Sequence, residues 1–474
     1  MRQTGKTEEL LALIREGKPM TWSEQVRLVV RLSVPAVVAQ LSYILMQYID
    51  AAMVGSLGAG ASASIGLVST TTWLFWGLCT ASSMAFSVQV AHHIGSGNLK
   101  EARAVLRQAI GATLLFSLLL AVAGISLSGV LPEWLGGEKS IRHDASLYFL
   151  VFSLFLPALQ MNFLTGGMLR CSGNMRIPSL AGVWMCVADV ILNFFLIFPS
   201  REIQVETVCF TVPGAGLGVT GAALGTAVAE TLAAVCMGWY LSVRSPVLQL
   251  TAECGRFFPG VEVIKKALRI GLPMGLEHVV ICGAQIMTTV IVAPLGIFSI
   301  AANSFAITAE SLCYMPGYGI ADAATTLAGQ SYGAGRFDLT RRFALITVGM
   351  GMAVMGIMGG AMYGWAPQII GAMTPVTEVR ELGVMALRIE AFAEPMFAAS
   401  IVAYGVFVGV ADTLVPCLMN FFSIWAVRLS MAALLAPSMG LKGVWIAMCV
   451  ELCFRGMIFL CRLWSGRWIK SKQV

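Results

Sequence analysis

The segment VPAVVAQLSYILMQYIDAAMVGSLG, residues 34–58, shows how the chain is organised, because a variant of it returns 238 residues later. The second copy, LPMGLEHVVICGAQIMTTVIVAPLG at residues 272–296, aligns without a gap and keeps the proline, one glutamine and the closing Leu-Gly pair. The same offset also places Pro178 on Pro416. The sequence therefore predicts two copies of one structural unit.

Composition indicates that both units lie in a membrane. The 474 residues are 57% hydrophobic and only 12% charged, with a mean hydropathy of +0.80. A soluble protein of this length could not cover so much apolar surface with so few charges. Segments of roughly 20 to 30 apolar residues, enough to cross a bilayer, lie near 31–56, 62–91, 107–131, 144–170, 177–199, 215–242, 264–292, 298–328, 343–365, 383–408, 413–436 and 440–463.

These segments predict an all-α integral membrane protein with twelve transmembrane helices, six in each half, and no strands. Because six is an even number, both six-helix bundles must have the same orientation, related by an axis along the membrane normal. Repeats of this kind are typical of carriers whose binding site lies between the two units.

Charge placement predicts the orientation. Lysine and arginine are concentrated in the N-terminal tail and in alternate loops, so both termini are expected in the cytoplasm. The formal net charge of +6 is mostly this bias and does not indicate nucleic-acid binding. No signal peptide is expected, because the first apolar run is a full-length span without a cleavage site. The predicted divisions are an amphipathic tail (1–26), a first lobe (27–243), a cytoplasmic linker (244–262), a second lobe (263–466) and a C-terminal tail (467–474).

Signatures of enzymes are weak. The sequence GLGVTG at 216–221 fits a dinucleotide fingerprint, but it opens a membrane helix rather than a soluble βαβ unit. The pattern GxxxxGK[ST] is absent from the sequence, and the 12 cysteines show no metal-binding spacing. We therefore expect a protein that is not an enzyme and carries no cofactor.

Ionisable residues inside spans are costly and are functional candidates. Asp50 lies 19 residues beyond Arg31, or about 28 Å along a helix, which is the outer half of the bilayer. Asp189 and Asn193 lie one turn apart on span 5. Ala222 and Thr226 reach a matching depth on span 6. Carboxylate, amide and hydroxyl oxygens at one depth could bind Na⁺, or the two carboxylates could share a proton. Alternatively, Asp189 and Asn193 only connect helices through hydrogen bonds.

This cluster is expected in the first half alone. The repeat partner of Asp50 is Thr288, and that of Asp189 is Val427. The second half has its own acids, Glu277 and Glu310, which fit either a cavity for cationic substrates or structural pairing. Other polar residues are expected to line a cavity between the lobes: Gln40, Tyr43, Gln47, Asn162, Gln285 and Asn303.

With these residues, the chain resembles the multidrug and toxic-compound extrusion (MATE) transporters over nearly all of residues 27–466. The resemblance rests on QYIDAAMVGSLG, GNMRIPS, ADVILNFFLIF and GVTGAALGTAVAE in the first half. In the second half it rests on GLPMGLEHVV, AESLCYMPGYGIADAATTLAGQSYGAG and GLKGVWIAM. It implies a V-shaped pair of lobes, bacterial inner-membrane location, and efflux of small cationic or amphipathic compounds by a monomer, driven by Na⁺ or H⁺.

The resemblance also implies roles for single residues. Asp50, Asp189, Asn193, Ala222 (through its carbonyl) and Thr226 match the family's cation or proton site. Pro35 matches a proline where the first span bends. Glu277 matches an acid of the DinF-like bacterial branch. The chain departs from the family in two places. In archaeal members the amide precedes the acid in span 5, whereas here Asp189 precedes Asn193. The glutamate of the second-lobe cation site in the NorM-like branch aligns with Ile281 of this chain.

Two other functions are compatible with a membrane chain of this kind. A flippase for lipid-linked oligosaccharides has a related fold but needs a basic cavity for pyrophosphate, whereas the acids here favour cationic or neutral cargo. A membrane-embedded transferase needs paired acids that hold Mg²⁺ near the membrane interface.

Overall fold

The computed structural model describes residues 2–205, 208–252 and 255–469. Parts of the predicted linker (253–254) and of the C-terminal tail (470–474) lie outside the described residues. The helices are α1 (Arg2–Arg15), α2 (Trp22–Gly55), α3 (Ala59–Gly95), α4 (Leu99–Ser128), α5 (Leu131–Trp134), α6 (Lys139–Leu154), α7 (Leu156–Cys171), α8 (Arg176–Ile197), α9 (Gly218–Trp239), α10 (Val261–Val292), α11 (Ile297–Gly333), α12 (Phe337–Met373), α13 (Thr377–Glu390), α14 (Glu394–Gly409), α15 (Leu414–Phe421), α16 (Ser430–Met439) and α17 (Leu441–Ser465). A π-helical stretch, Phe422–Leu429, joins α15 to α16.

Every predicted span falls on one continuous helical segment or on one bent pair of helices. In the described part of the chain, nine continuous helical segments and the two bent pairs α6–α7 and α13–α14 are long and apolar enough to cross a membrane. The twelfth span, α11, has 37 residues but lower hydropathy. It is the inner helix, which packs against α2, α3, α12 and α14 and buries polar side chains. An interior position explains its polarity, because polar groups within a membrane protein face other helices rather than lipid.

The two lobes repeat the same helix boundaries. The first residues of α3, α7 and α8 are Ala59, Leu156 and Arg176, and each lies 238 residues before the first residue of α11, α14 and α15. The bent spans also correspond, with angles of 48° and 59°. Pro157 and Pro395 lie in the first turn after each bend, where a missing backbone N–H is tolerated. The predicted duplication is therefore confirmed.

The lobes meet through α2, α3, α10 and α11. Near the ends of α3 and α11 two glycines allow the backbones to touch. A side chain at Gly95 would overlap the carbonyl of Gln330, and one at Gly333 would overlap the carbonyl of His92. Gly95 and Gly333 are repeat equivalents, as are His92 and Gln330, because 238 residues separate the members of each pair. The two halves of this contact are therefore equivalent. We call it the glycine crossing.

Two hydrogen bonds between lobes reinforce the glycine crossing. The ring Nε2 of His92 lies 2.8 Å from the carbonyl of Gly409. In the equivalent position, the Gln330 amide donates to the carbonyl of Cys171 at 2.7 Å. The crossing lies on the side of the molecule that carries α1, because Arg336, just beyond α11, donates to the Leu13 carbonyl at 2.9 Å. We call this side the tail side.

The N-terminal tail forms helix α1, followed by a capping box at the start of α2. The Thr21 backbone donates to the Glu24 carboxylate at 2.8 Å, and the Glu24 backbone donates to the Thr21 hydroxyl at 3.3 Å. Helix α1 packs against the bundle with one face. Leu11 and Ile14 are buried against the bundle, and the helix packs on α2, α3 and α11.

The described residues include one hairpin of strands, whereas the sequence predicted no strands. Strands β1 (Pro199–Val205) and β2 (Val208–Ala215) pair antiparallel between α8 and α9. The alternating sequence REIQV could have indicated a strand, but apolar residues beside it were assigned to the spans. The backbone of Leu217 donates to the carbonyl of Leu196 at 2.9 Å, so the hairpin holds the adjoining ends of α8 and α9 together.

Candidate functional site

Close packing of α8 on α9 builds the site in the first lobe. A side chain at Gly221 would overlap the carbonyl of Leu196, and one at Gly225 would overlap the side-chain oxygen of Asn193. Small residues let helix backbones approach closely within a membrane. The GxxxG spacing at Gly221 and Gly225 therefore places the face of α9 directly against the polar residues of α8.

The structure brings Asp50, Asp189 and Asn193 into direct contact. The Asn193 amide donates to Asp50 Oδ1 at 2.9 Å and to Asp189 Oδ2 at 3.2 Å. Asp189 and Asn193 are fully buried, and Asp50 is partly exposed. Asp189 Oδ1 and Asn193 Oδ1 are buried without a hydrogen-bond partner. One amide therefore bridges two carboxyl groups and leaves two acceptor oxygens free.

Helix α9 supplies the remaining oxygens of the predicted set. The Thr226 hydroxyl donates to the Ala222 carbonyl at 3.1 Å. The same hydroxyl faces Asp189. The carboxyls of Asp50 and Asp189 also lie within hydrogen-bonding reach of each other. Three helices thus deliver carboxyl, amide, hydroxyl and carbonyl oxygens to one point.

This arrangement has a clear electrostatic consequence. Two carboxylates in contact inside a protein repel each other, and burial makes each charge more costly. In the described part of the chain no lysine or arginine forms an ion pair with Asp50 or Asp189. A shared proton or a small cation such as Na⁺, for which oxygen ligands are suitable, would remove the repulsion.

Glu230 also lies near this cluster, although it is not among the residues predicted for the site. Glu230 lies one turn beyond Thr226 on α9 and faces Asp189, Tyr43 and Tyr148. Its spacing of four residues from Thr226, which matches that between Ala222 and Thr226, was a signal that could have identified it. The buried cluster of the first lobe therefore includes three acids rather than two.

Most residues expected between the lobes lie elsewhere. Tyr43 lies close to Gln47 and Glu230, inside the first lobe. Asn162 donates to the sulfur of Met185 at 3.6 Å, also inside this lobe. Depth along a helix was read from the sequence, but the direction of a side chain around the helix depends on packing. Only Gln40 faces the other lobe, where it contacts Asp322 of α11.

The residues of the second lobe that were expected to line a cavity between the lobes also lie at separate places. Asn303 accepts from the Trp445 indole at 3.0 Å inside the second lobe, whereas Gln285 is exposed. Glu277 is buried, and the Asn420 amide donates to it at 2.5 Å. Glu310 is buried inside the second lobe, next to Glu390. These four residues therefore do not form one cavity wall.

Helix α2 is continuous through Pro35. Gly319 of α11 packs against the backbone of Ala36 and Val37, directly after the proline. The proline lacks a backbone N–H and so weakens the helix at this contact between lobes. A hinge at Pro35 stays a prediction.

A membrane protein of two repeated six-span lobes, with a buried cluster of carboxyl and amide groups in one of them, has the construction of a secondary transporter. The protein-family model MatE matches residues 35–195 and 273–434. The chain therefore belongs to the MatE family and is a MATE-type membrane transporter.

Curated relatives and solved structures agree with this assignment. A probable multidrug resistance protein NorM of Thermotoga maritima is 25% identical over 446 residues, covering 93% of this chain and 92% of the relative. A protein of the same description from Pseudomonas aeruginosa is 27% identical over 437 residues, covering 89% and 85%.

Two solved structures show the same fold. A MATE transporter in complex with MaL6 superposes with a TM-score of 0.86 at 20% identity, covering 96% of this chain and 99% of the other. A MOP superfamily transporter from Pyrococcus furiosus, whose binding pocket has reversed polarity, gives 0.86 at 19% identity, covering 98% and 99%.

Proposed function

We propose that this protein exports small organic compounds, among them drugs, in exchange for inward-moving Na⁺ or H⁺. Its relatives carry the description of multidrug resistance proteins. The lobes rock about the site so that it faces one side of the membrane at a time. The protein acts as a monomer and needs no cofactor beyond the coupling ion.

The contact between Asp50, Asn193 and Asp189 carries this proposal. With a proton or cation bound, the two carboxyls can remain together as observed. Without it, their repulsion favours separation of α2 from α8, because like charges in a buried site are unfavourable. Ion binding is thereby coupled to the position of α2, which also lies at the contact between lobes.

The membrane potential can drive such a cycle. Moving one positive charge inward across 100 mV supplies ~2.3 kcal/mol. That free energy sustains a roughly fiftyfold gradient of a neutral compound. Larger gradients require a proton or sodium gradient in addition.

Orientation follows from the basic residues. The tail side is assigned to the cytoplasm of a bacterial inner membrane, because the basic loops belong there. The glycine crossing then closes the cytoplasmic side in the observed arrangement, and transport requires this crossing to open. Buried acids in both lobes favour cationic or neutral amphipathic cargo over the pyrophosphate of a lipid-linked oligosaccharide.

A test uses proteoliposomes with proton and sodium gradients imposed separately and several cationic dyes as cargo. We expect Asp50→Asn to abolish ion-driven efflux while the protein still inserts. Asp338→Asn, which removes an exposed carboxylate at the start of α12, is the matched control and should transport normally. Efflux at the wild-type rate by Asp50→Asn under both gradients would refute the proposal.

A further inference from the structure

An open groove lies on the surface of the second lobe, between α15 and α17. Its volume is about 580 Å³. One wall is formed by α15 with the first residue of the π-helical stretch, and the other wall is formed by α17. The side chains that line it include Val415, Leu418, Phe422, Phe454, Ile458 and Arg462. We call it the α15–α17 groove.

The groove is apolar at one end and charged at the other. The rings of Phe422 and Phe454 lie 6.3 Å apart at the apolar end. At the charged end Arg462 forms an ion pair with Asp412, which lies between α14 and α15. Phe454 and Arg462 are about two helical turns apart, or ~12 Å along α17. The apolar part therefore covers less than half of a hydrocarbon core ~30 Å thick.

The charged end lies on the tail side, where the membrane surface is expected. Gly409, at the end of α14 shortly before Asp412, accepts the His92 hydrogen bond at the glycine crossing. Trp464 of α17 is 63% exposed at this end, and exposed tryptophans are typical of the interface between membrane and water. A ligand in the groove would thus have its apolar part inside the membrane and its polar part at the interface.

Positive charge is in excess at this end of the groove. Helix α17 ends at Gly466, whose positive φ of 66° turns the chain so that Arg467 also lines the groove. Arg467 is exposed and takes part in none of the ion pairs of the described residues. Arg341 of α12 donates to the carbonyl of Trp464 at 3.1 Å and adds a further positive charge. Asp412 balances Arg462, so Arg467 is left to attract an anionic group.

The first lobe shows that the fold does not need this charge. Asn174 is the repeat equivalent of Asp412, and its amide donates to the hydroxyl of Tyr240, directly after α9, at 3.2 Å. A neutral hydrogen bond thus holds the end of the last span there, where the second lobe has an ion pair. Helix α8 is also α-helical throughout the part that corresponds to the π-helical stretch of the second lobe. The charged end of the groove and the π-helical stretch beside it therefore distinguish the second lobe from the first.

We propose that the α15–α17 groove binds an anionic phospholipid of the tail-side leaflet. One acyl chain lies against Leu418 and Ile458, and the headgroup phosphate lies at Arg462 and Arg467. A guanidinium group can donate two parallel hydrogen bonds to a phosphate, and basic pockets between membrane helices suit anionic headgroups. The ion pair with Asp412 holds Arg462 in place, and Arg467 supplies the charge that a lipid without net charge cannot use. This binding does not depend on the transport proposed above.

The first test is native mass spectrometry of the full-length protein with phosphatidylglycerol or with phosphatidylcholine of the same acyl chains. We expect the wild type to retain phosphatidylglycerol in preference, and Arg467→Gln to weaken its retention about fivefold, the loss expected for one basic residue at an anionic surface. Arg467→Lys keeps the charge and should bind like the wild type. Arg27→Gln is the matched control, because Arg27 is an exposed arginine of α2 near the exposed Trp22. Equal retention of both lipids, or equal losses in Arg467→Gln and Arg27→Gln, would overturn the proposal.

A second test uses a cysteine that the groove already contains. Cys461 is exposed and lines the groove, whereas Cys236 is exposed on α9 of the first lobe and serves as the internal control. We expect phosphatidylglycerol to slow the alkylation of Cys461 by a maleimide, to leave Cys236 unaffected, and to lose this effect in Arg467→Gln. Equal protection of both cysteines would show that lipid coats the surface without selection. Equal protection of Cys461 by inorganic phosphate would show an anion site that needs no lipid, and either result would refute the proposal.

Discussion

Alanine at Gly95 and at Gly333 should force the lobes apart on the tail side. Each new Cβ would overlap a carbonyl of the opposite lobe, that of Gln330 in one case and that of His92 in the other. A backbone carbonyl inside a helix cannot move away without breaking that helix. We therefore expect the contact between lobes to yield first.

The size of the effect follows from the hydrogen bonds that the crossing supports. His92 and Gln330 each form one hydrogen bond across the lobes, at 2.8 and 2.7 Å. At ~1 kcal/mol for each bond, separation of the lobes costs the closed arrangement ~2 kcal/mol. This corresponds to a roughly thirtyfold shift of the equilibrium towards arrangements that are open on the tail side.

Distances between spin labels at Lys100 and Arg342, exposed residues near the tail-side ends of α4 and α12, measure this shift in a variant without other reactive cysteines. We expect the wild-type distance distribution to gain a longer component in Gly95→Ala and in Gly333→Ala. Gly66→Ala is the matched control, because Gly66 also lies on α3 and a Cβ there contacts nothing. Distributions identical to that of the wild type in both crossing variants would refute the steric argument.

Two further predictions concern the interior of each lobe. Gly225→Ala should displace the Asn193 amide that bridges the two carboxyls, and so weaken ion-driven efflux at least tenfold; unchanged ion dependence of efflux would contradict this. Glu451→Gln should destabilise the fold by ~3–5 kcal/mol, because it leaves the partly buried guanidinium groups of Arg428 and Arg455 without their anionic partner, the fully buried Glu451. A thermal unfolding midpoint in detergent equal to that of the wild type would show that Glu451 is not needed for stability.

The sequence was sufficient to predict the number of spans in this protein and their repetition in the two lobes. The repeat offset predicted where equivalent helices begin, and the length of apolar segments predicted every span. It also placed Asp50 and Asp189 at compatible depths, because depth depends only on residue number and helical rise. Helix positions and residue depths depend only on local sequence patterns, so they could be predicted without knowledge of how the helices pack.

Side-chain direction could not be predicted in the same way. Tyr43 and Asn303 were expected to face a cavity between lobes, but each is turned towards the interior of its own lobe. Which face of a helix meets which neighbour depends on contacts with several other helices. The association of Glu310 with Glu390 and Glu394 was missed for the same reason, since the bend between α13 and α14 brings these two against α11.

The two lobes share their backbone-shaping residues but not their acids. Glycine at the crossing and proline after each bend recur at equivalent positions, and they determine how close helices come and where spans bend. Buried carboxyl groups lower the stability of the fold, and the packing of the helices does not require them. Each lobe contains its own group of three acids, at positions that are not related by the repeat: Asp50, Asp189 and Glu230 in the first, and Glu310, Glu390 and Glu394 in the second. The buried acids therefore distinguish two lobes whose helices otherwise correspond through the repeat.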